Sequence, residues 1–187
     1  MGGSSSALAP LKAMETPMSL DKFMGTWYVI ANIPTPFEKG AHNAVEVYST
    51  PEAGSSYDID VSFKFNKGSF AGSVSEMRQK GWVKNKETFT EWRVSPIVAG
   101  FTIPYKAPYI ICDITEGKSQ YETTIIGYPD RSYLWVMARQ PQISDDTYQS
   151  QMAKVKEMGY DLEKVQKVPQ QTPEERAAKA APPAPEL

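Results

Sequence analysis

Cysteine is almost missing from this 187-residue chain: Cys112 stands alone, which excludes an intrachain disulfide and any multi-cysteine zinc site. Histidine is as scarce, with His42 the single example. Neither sign of charge prevails, since 20 Lys and Arg face 22 Asp and Glu for a formal charge of −2. A general nucleic-acid binder needs a basic face to displace phosphate counterions, so nucleic acid is not an expected partner. No apolar run approaches the ~20 residues that a helix needs to cross a bilayer. The first 18 residues also lack the charged and apolar segments of a secretory signal peptide, so the expected location is the cytoplasm or the periphery of a membrane. Aromatic residues, by contrast, are plentiful: Tyr 10, Phe 7 and Trp 4 in a chain only 41% hydrophobic. They imply an apolar space that is lined or filled.

The two ends differ from the middle. Residues 1–18 are small, polar and proline-punctuated, and read as a flexible segment. They open Met1-Gly2-Gly3-Ser4-Ser5-Ser6, which fits N-myristoylation of Gly2 as well as a plain Gly/Ser start. One acyl chain gives only marginal membrane binding, and no neighbouring cysteine or basic cluster supplies a second signal. Residues 169–187 mix charge, Ala and Pro without an apolar stripe and read as a disordered tail. The folded domain is expected over 19–168.

Within it, residues 57–66 alternate apolar and polar without a break, which puts five apolar side chains on one face of a strand. Seven more strands are expected at 26–33, 44–49, 72–83, 88–94, 109–114, 121–128 and 133–138, each rich in β-branched or aromatic residues and bounded by turn formers. Eight consecutive strands with no intervening helix point to an all-β antiparallel barrel or sandwich. The period then changes: Ser144 caps a helix with Asp145 and Asp146 in its first turn, Tyr148, Met152 and Val155 form its apolar stripe, and Gly159 ends it. Asp161 starts a short turn, and residues 165–168 suit an edge strand.

Four groups of residues carry a resemblance over 19–168. Gly25-Thr26-Trp27-Tyr28 forms a G-x-W signature preceded by Leu20-Asp21-Lys22-Phe23-Met24. Residues 33–40 resemble a first long loop and residues 43–48 a second strand. Residues 129–141 resemble a last strand with its closing Arg139. The chain thereby resembles the lipocalins, within them the bacterial lipocalin, apolipoprotein D and temperature-induced lipocalin group. A third family motif, a T-D-Y-like turn, is present only as Thr115-Glu116 with Tyr121 further on, and suggests a lengthened connection there.

The resemblance implies an eight-stranded up-and-down barrel closed at one end by Trp27 and Arg139, with the C-terminal helix outside. A guanidinium stacks on an indole face while donating to loop carbonyls, so the pair is structural. The other end would admit a small hydrophobic ligand: a fatty acid, lysophospholipid, sterol or carotenoid-like molecule. Strand register then turns Glu46, Tyr48, Phe63, Phe65, Trp92, Tyr133, Trp135 and Met137 toward the ligand, with Phe37 and His42 on an entrance loop. Glu46 is a headgroup partner, an ion-pair partner of Arg78 or Arg93, or, if the register slips, a solvated side chain.

Rival readings are an enzyme acting on a lipophilic substrate, of the lipid isomerase or epoxidase type that some lipocalin-like proteins show, and a membrane-surface stress-response adaptor that uses the acyl chain and has a filled barrel. Cys112 with His42 is a further nucleophile–base option, set against Cys112 as a small buried core residue. No catalytic residue, metal ligand or cofactor is legible: the chain has no G-x-S-x-G, no H-E-x-x-H and no phosphate-cradling glycine loop.

Overall fold

A computed structural model describes residues 8–180. The N-terminal acylation candidate Gly2 lies outside them. The chain enters as a strap over residues 8–18 and makes a single turn, α1 (Leu20–Phe23). Strands β1 (Gly25–Ile33), β2 (Ala41–Ser49), β3 (Ile59–Lys67), β4 (Val74–Val83) and β5 (Glu91–Val98) follow. After them come β6 (Phe101–Thr102), β7 (Ala107–Glu116), β8 (Tyr121–Gly127) and β9 (Leu134–Ala138), then α2 (Asp145–Glu157), β10 (Gln166–Lys167) and α3 (Pro173–Ala180). Each strand of the series β1, β2, β3, β4, β5, β7, β8, β9 pairs antiparallel with the next, and β9 pairs back onto β1. The sheet is thus an eight-stranded barrel. Among the described residues, only the two-residue strands β6 and β10 stand outside it.

The barrel forms because period-2 sequences put one face of each strand inside. On β3, Ile59, Val61, Phe63 and Phe65 are buried while Lys64 is exposed. The inward side chains merge into one core with Trp27, Tyr48, Trp92, Tyr109 and Met137. A second, outer core holds α2 against the wall: Met152 and Val155 meet Ala31, Ile33, Ile125, Leu134 and Val136. Ser144 caps α2 by accepting from the Thr147 N–H, and Gly159 ends it at φ +83, where a side chain would be strained.

Both ends of the chain differ from the sequence expectation. Residues 8–18, expected to be flexible, are pinned across the outside of the barrel: the N–H groups of Leu11, Met14 and Met18 donate to the carbonyls of Pro129, Ile111 and Thr88 at 2.8–2.9 Å. Residues 169–180, expected to be disordered, have a structural task. Above Val45 the pairing of β1 with β2 stops, because β2 is bulged at Asn43, whose φ is +52. The tail seals the opened seam. Val168 N–H donates to the Ile30 carbonyl and Asn43 N–H to that of Pro169, while the Gln170 amide donates to both Val29 and Ala44 carbonyls. Gln171 and Asn43 exchange two further bonds, and Arg176 of α3 lies 5.7 Å from the Tyr28 ring. Backbone groups freed by the bulge would otherwise lack partners, which composition cannot reveal. The expected long connection after Glu116 is also corrected: β7 and β8 are joined by residues 117–120 alone.

Candidate functional site

At the end where β1 begins, the barrel is solid. The Arg139 guanidinium lies 3.8 Å from the Trp27 ring centre. It donates to five carbonyls, those of Lys22, Phe23, Met24, Thr26 and Tyr121. Gly25 lies beside it at φ +98, a backbone conformation that would strain any L side chain. The rings of Phe23, Trp27, Tyr48 and Trp92 fill the space above, with Trp92 and Tyr109 stacked at 5.1 Å.

Toward the opposite end the barrel opens into a cavity of about 330 Å³. Its apolar walls are Phe63, Met77, Val94, Tyr109, Tyr133 and Trp135, and Phe37, Tyr105 and Tyr128 stand around the mouth. Phe37 sits on the short 3₁₀ turn Pro36–Glu38 between β1 and β2, partly exposed, its ring edge-on to Phe65 at 5.3 Å. That turn reaches over the mouth as the entrance loop was expected to.

Among the described residues, two carboxyl groups face this cavity, Glu38 and Glu46, and no Lys, Arg or His lines it. Glu38 is held by three donors: the Trp135 indole N–H at 2.8 Å, the Thr35 N–H at 2.9 Å and the Thr35 hydroxyl at 2.8 Å. Burial raises its pKa, and these bonds oppose the rise. Glu46, on β2, accepts from the Tyr48 hydroxyl through Oε2, and Tyr48 in turn meets the Tyr109 hydroxyl at 2.5 Å. Desolvation pushes the Glu46 carboxyl up to about 7; the Tyr48 bond lowers it, and the charge of Glu38 raises it further. Both phenols are held well above the ordinary tyrosine value by burial and by the Glu46 charge, so they remain neutral donors.

Of the residues picked from sequence, Glu46, Phe63, Tyr133, Trp135 and Phe37 meet around this cavity. Tyr48, Trp92 and Met137 are buried in the core beneath it, and Phe65 is buried behind Phe37 and Phe63. His42 is not on the loop: it is part of β2, its ring edge-on to Phe70 and its Nδ1 3.0 Å from the Gly40 carbonyl oxygen. The ion pair considered for Glu46 is not formed, because Arg78 is exposed on the outer face and Arg93 pairs with Glu91. The nucleophile–base reading loses its geometry as well. Cys112 points out of the barrel toward Gly127 and the α2 core, and burial pushes its thiol up to about 12.

Glu38, Tyr109, Met77 and the mouth tyrosines were missed. Thr35-Pro36-Phe37-Glu38 did offer a signal, since a glutamate three residues after a threonine reaches back to it at the start of a helical turn. Burial of that glutamate depends on Trp135, 97 residues away, and leaves no local trace.

A family model of the lipocalin-like domain matches residues 18–170. Temperature-induced lipocalin-1 of Arabidopsis thaliana is 29% identical over 155 residues, covering 82% of this chain and 80% of that one. The outer membrane lipoprotein Blc of Citrobacter freundii is 30% identical over 145 residues, covering 77% and 75%. Among solved structures, insecticyanin from the tobacco hornworm Manduca sexta superposes with a TM-score of 0.65 at 15% identity, covering 87% and 86%. Because the family match runs from the residue before the α1 cap to the glutamine that seals the β1–β2 seam, it takes in the whole barrel, and this chain belongs to the lipocalin family, in the group of the bacterial and temperature-induced lipocalins.

Proposed function

We propose that the chain binds one small hydrophobic ligand in the upper barrel and carries or sequesters it. The observation that supports this is the hollow beside the filled base: one core is packed with rings, and the same core gives way to an aromatic-walled space of about 330 Å³. Pockets that enclose small molecules measure roughly 300–1,000 Å³, so this one suits a single acyl chain or a compact ring system. A long carotenoid-like molecule or a diacyl lipid would project from the mouth. Each buried methylene contributes about 0.8 kcal/mol.

The rim supports a peripheral encounter with lipid. Val74, Val98, Phe101 and Tyr105 are all exposed at the open end, with Phe101 78% accessible. These exposed apolar side chains support a mouth that meets a bilayer surface, where lipophilic ligands partition. No helix among the described residues is long and apolar enough to cross a membrane.

The test is native mass spectrometry of protein purified from its own cells, followed by organic extraction and titration of the emptied protein by tryptophan fluorescence. A stoichiometric lipophilic species, or saturable quenching by single-chain lipids that is reduced in Trp135→Phe, is the expected result. An empty protein whose fluorescence responds to no fatty acid, lysophospholipid, sterol or carotenoid overturns the reading in favour of a filled barrel.

A further inference from the structure

Building on that carrier reading, we infer that the cavity selects amphiphiles with a cationic head, an amine or quaternary ammonium on a single apolar tail, and that Glu46 and Glu38 receive the head. Three features of the site carry this. Two carboxyl groups face one apolar cavity that no basic side chain lines. Glu38 is fixed by donors to both of its oxygens, so it is a positioned charge that cannot swing out to water. Glu46 is 6% exposed and spends only Oε2 on Tyr48; among the described residues no hydrogen bond reaches Oε1.

A buried carboxyl with an open acceptor and no cation is costly in an apolar wall. That cost is met when the protein folds, so an entering cation gains the attraction without having to desolvate the acid again. The rings add to the preference. Trp135, bonded to Glu38, and Tyr133 beside it line the same space, and aromatic faces attract ammonium groups. An anionic head meets the opposite: two like charges, and among the described lining residues only neutral donors, the Gln79 amide and the Thr35 and tyrosine hydroxyls. The raised Glu46 carboxyl, ionising about pH 7, agrees with a site awaiting a positive charge.

The experiment is isothermal titration of the intact, delipidated protein at pH 8 with three ligands of one tail, decylamine, decanol and decanoic acid, alongside decyltrimethylammonium. Decylamine is expected to bind at least about tenfold more tightly than decanol, and decanoate more weakly than either. Glu46→Gln is expected to bring amine and alcohol within about threefold of each other. Decanoate binding as tightly as decylamine in the unmodified protein overturns the inference while leaving the carrier reading intact. Failure of all four ligands, with no change in tryptophan fluorescence, overturns the carrier reading itself. The unmodified protein alone decides between these outcomes, whether or not Glu46→Gln folds.

Discussion

The two halves of the barrel are built from the same strands and the same kinds of residue, and they do opposite things. At the base, every ring meets another ring or the Arg139 guanidinium, and every donor of that guanidinium region finds a carbonyl. At the mouth, the rings of Phe63, Tyr133 and Trp135 face a hollow, and two acids face it with them. A tightly filled region contributes stability because dispersion attraction is complete on all sides; a hollow forfeits part of it. The mouth is therefore the half in which stability is given up for capacity to bind.

Truncating the base should be the most damaging change. Trp27→Ala removes a fully buried indole and the surface on which Arg139 rests, and is expected to lower unfolding free energy by about 4 kcal/mol in urea titration. A loss under about 1 kcal/mol would mean that the base is no better packed than the mouth.

A pH profile probes the acids at the mouth. The folded pKa of Glu46, about 7, lies above its ordinary value of 4.5, so the folded state holds a proton that the unfolded state has released. This contribution is fully present below pH 4.5, is lost as pH rises to about 7, and amounts to something on the order of 3 kcal/mol. Glu46→Gln should flatten that part of the stability curve. An unchanged slope between pH 5 and 7.5 would show that Glu46 is solvated.

Smaller effects sharpen the contrast. Arg139→Lys keeps the charge but not the planar fork that reaches several carbonyls at once, and should cost about 2 kcal/mol with ligand affinity unaltered. Gln170→Ala unseals the β1–β2 seam, for about 1 kcal/mol and faster amide exchange at Asn43. Trp135→Phe should change stability least, by under about 1 kcal/mol, while weakening ligand binding severalfold in fluorescence titration. Were Trp135→Phe as harmful to folding as Trp27→Ala, the division of the barrel into a structural and a binding half would fail.

Much of the architecture, though not this division, was legible before the fold was known. The period-2 pattern of 57–66 and the chain order of strands pointed to a barrel or sandwich, the resemblance chose the barrel, and Glu46 and Trp135, placed inward by that resemblance, line the cavity. What the sequence hid lies wherever partners are far apart along the chain. Composition alone marks 169–180 as disorder, yet Gln170 and Gln171 complete a seam opened by the Asn43 bulge. His42 was put on the entrance loop by resemblance alone, and its pairing with Asn66 makes it part of β2 instead.

The sequence by itself determined a run of antiparallel strands followed by a capped helix, because alternation and caps are local properties, and its resemblance to the lipocalins supplied the closed barrel with its Trp27 and Arg139 base. Only the tertiary structure decided that the rings fill one half and leave the other hollow, and that Glu38 and Glu46 share the hollow without a cation. Packing density and charge proximity are sums over side chains dozens of residues apart, and those sums exist only once the barrel has closed.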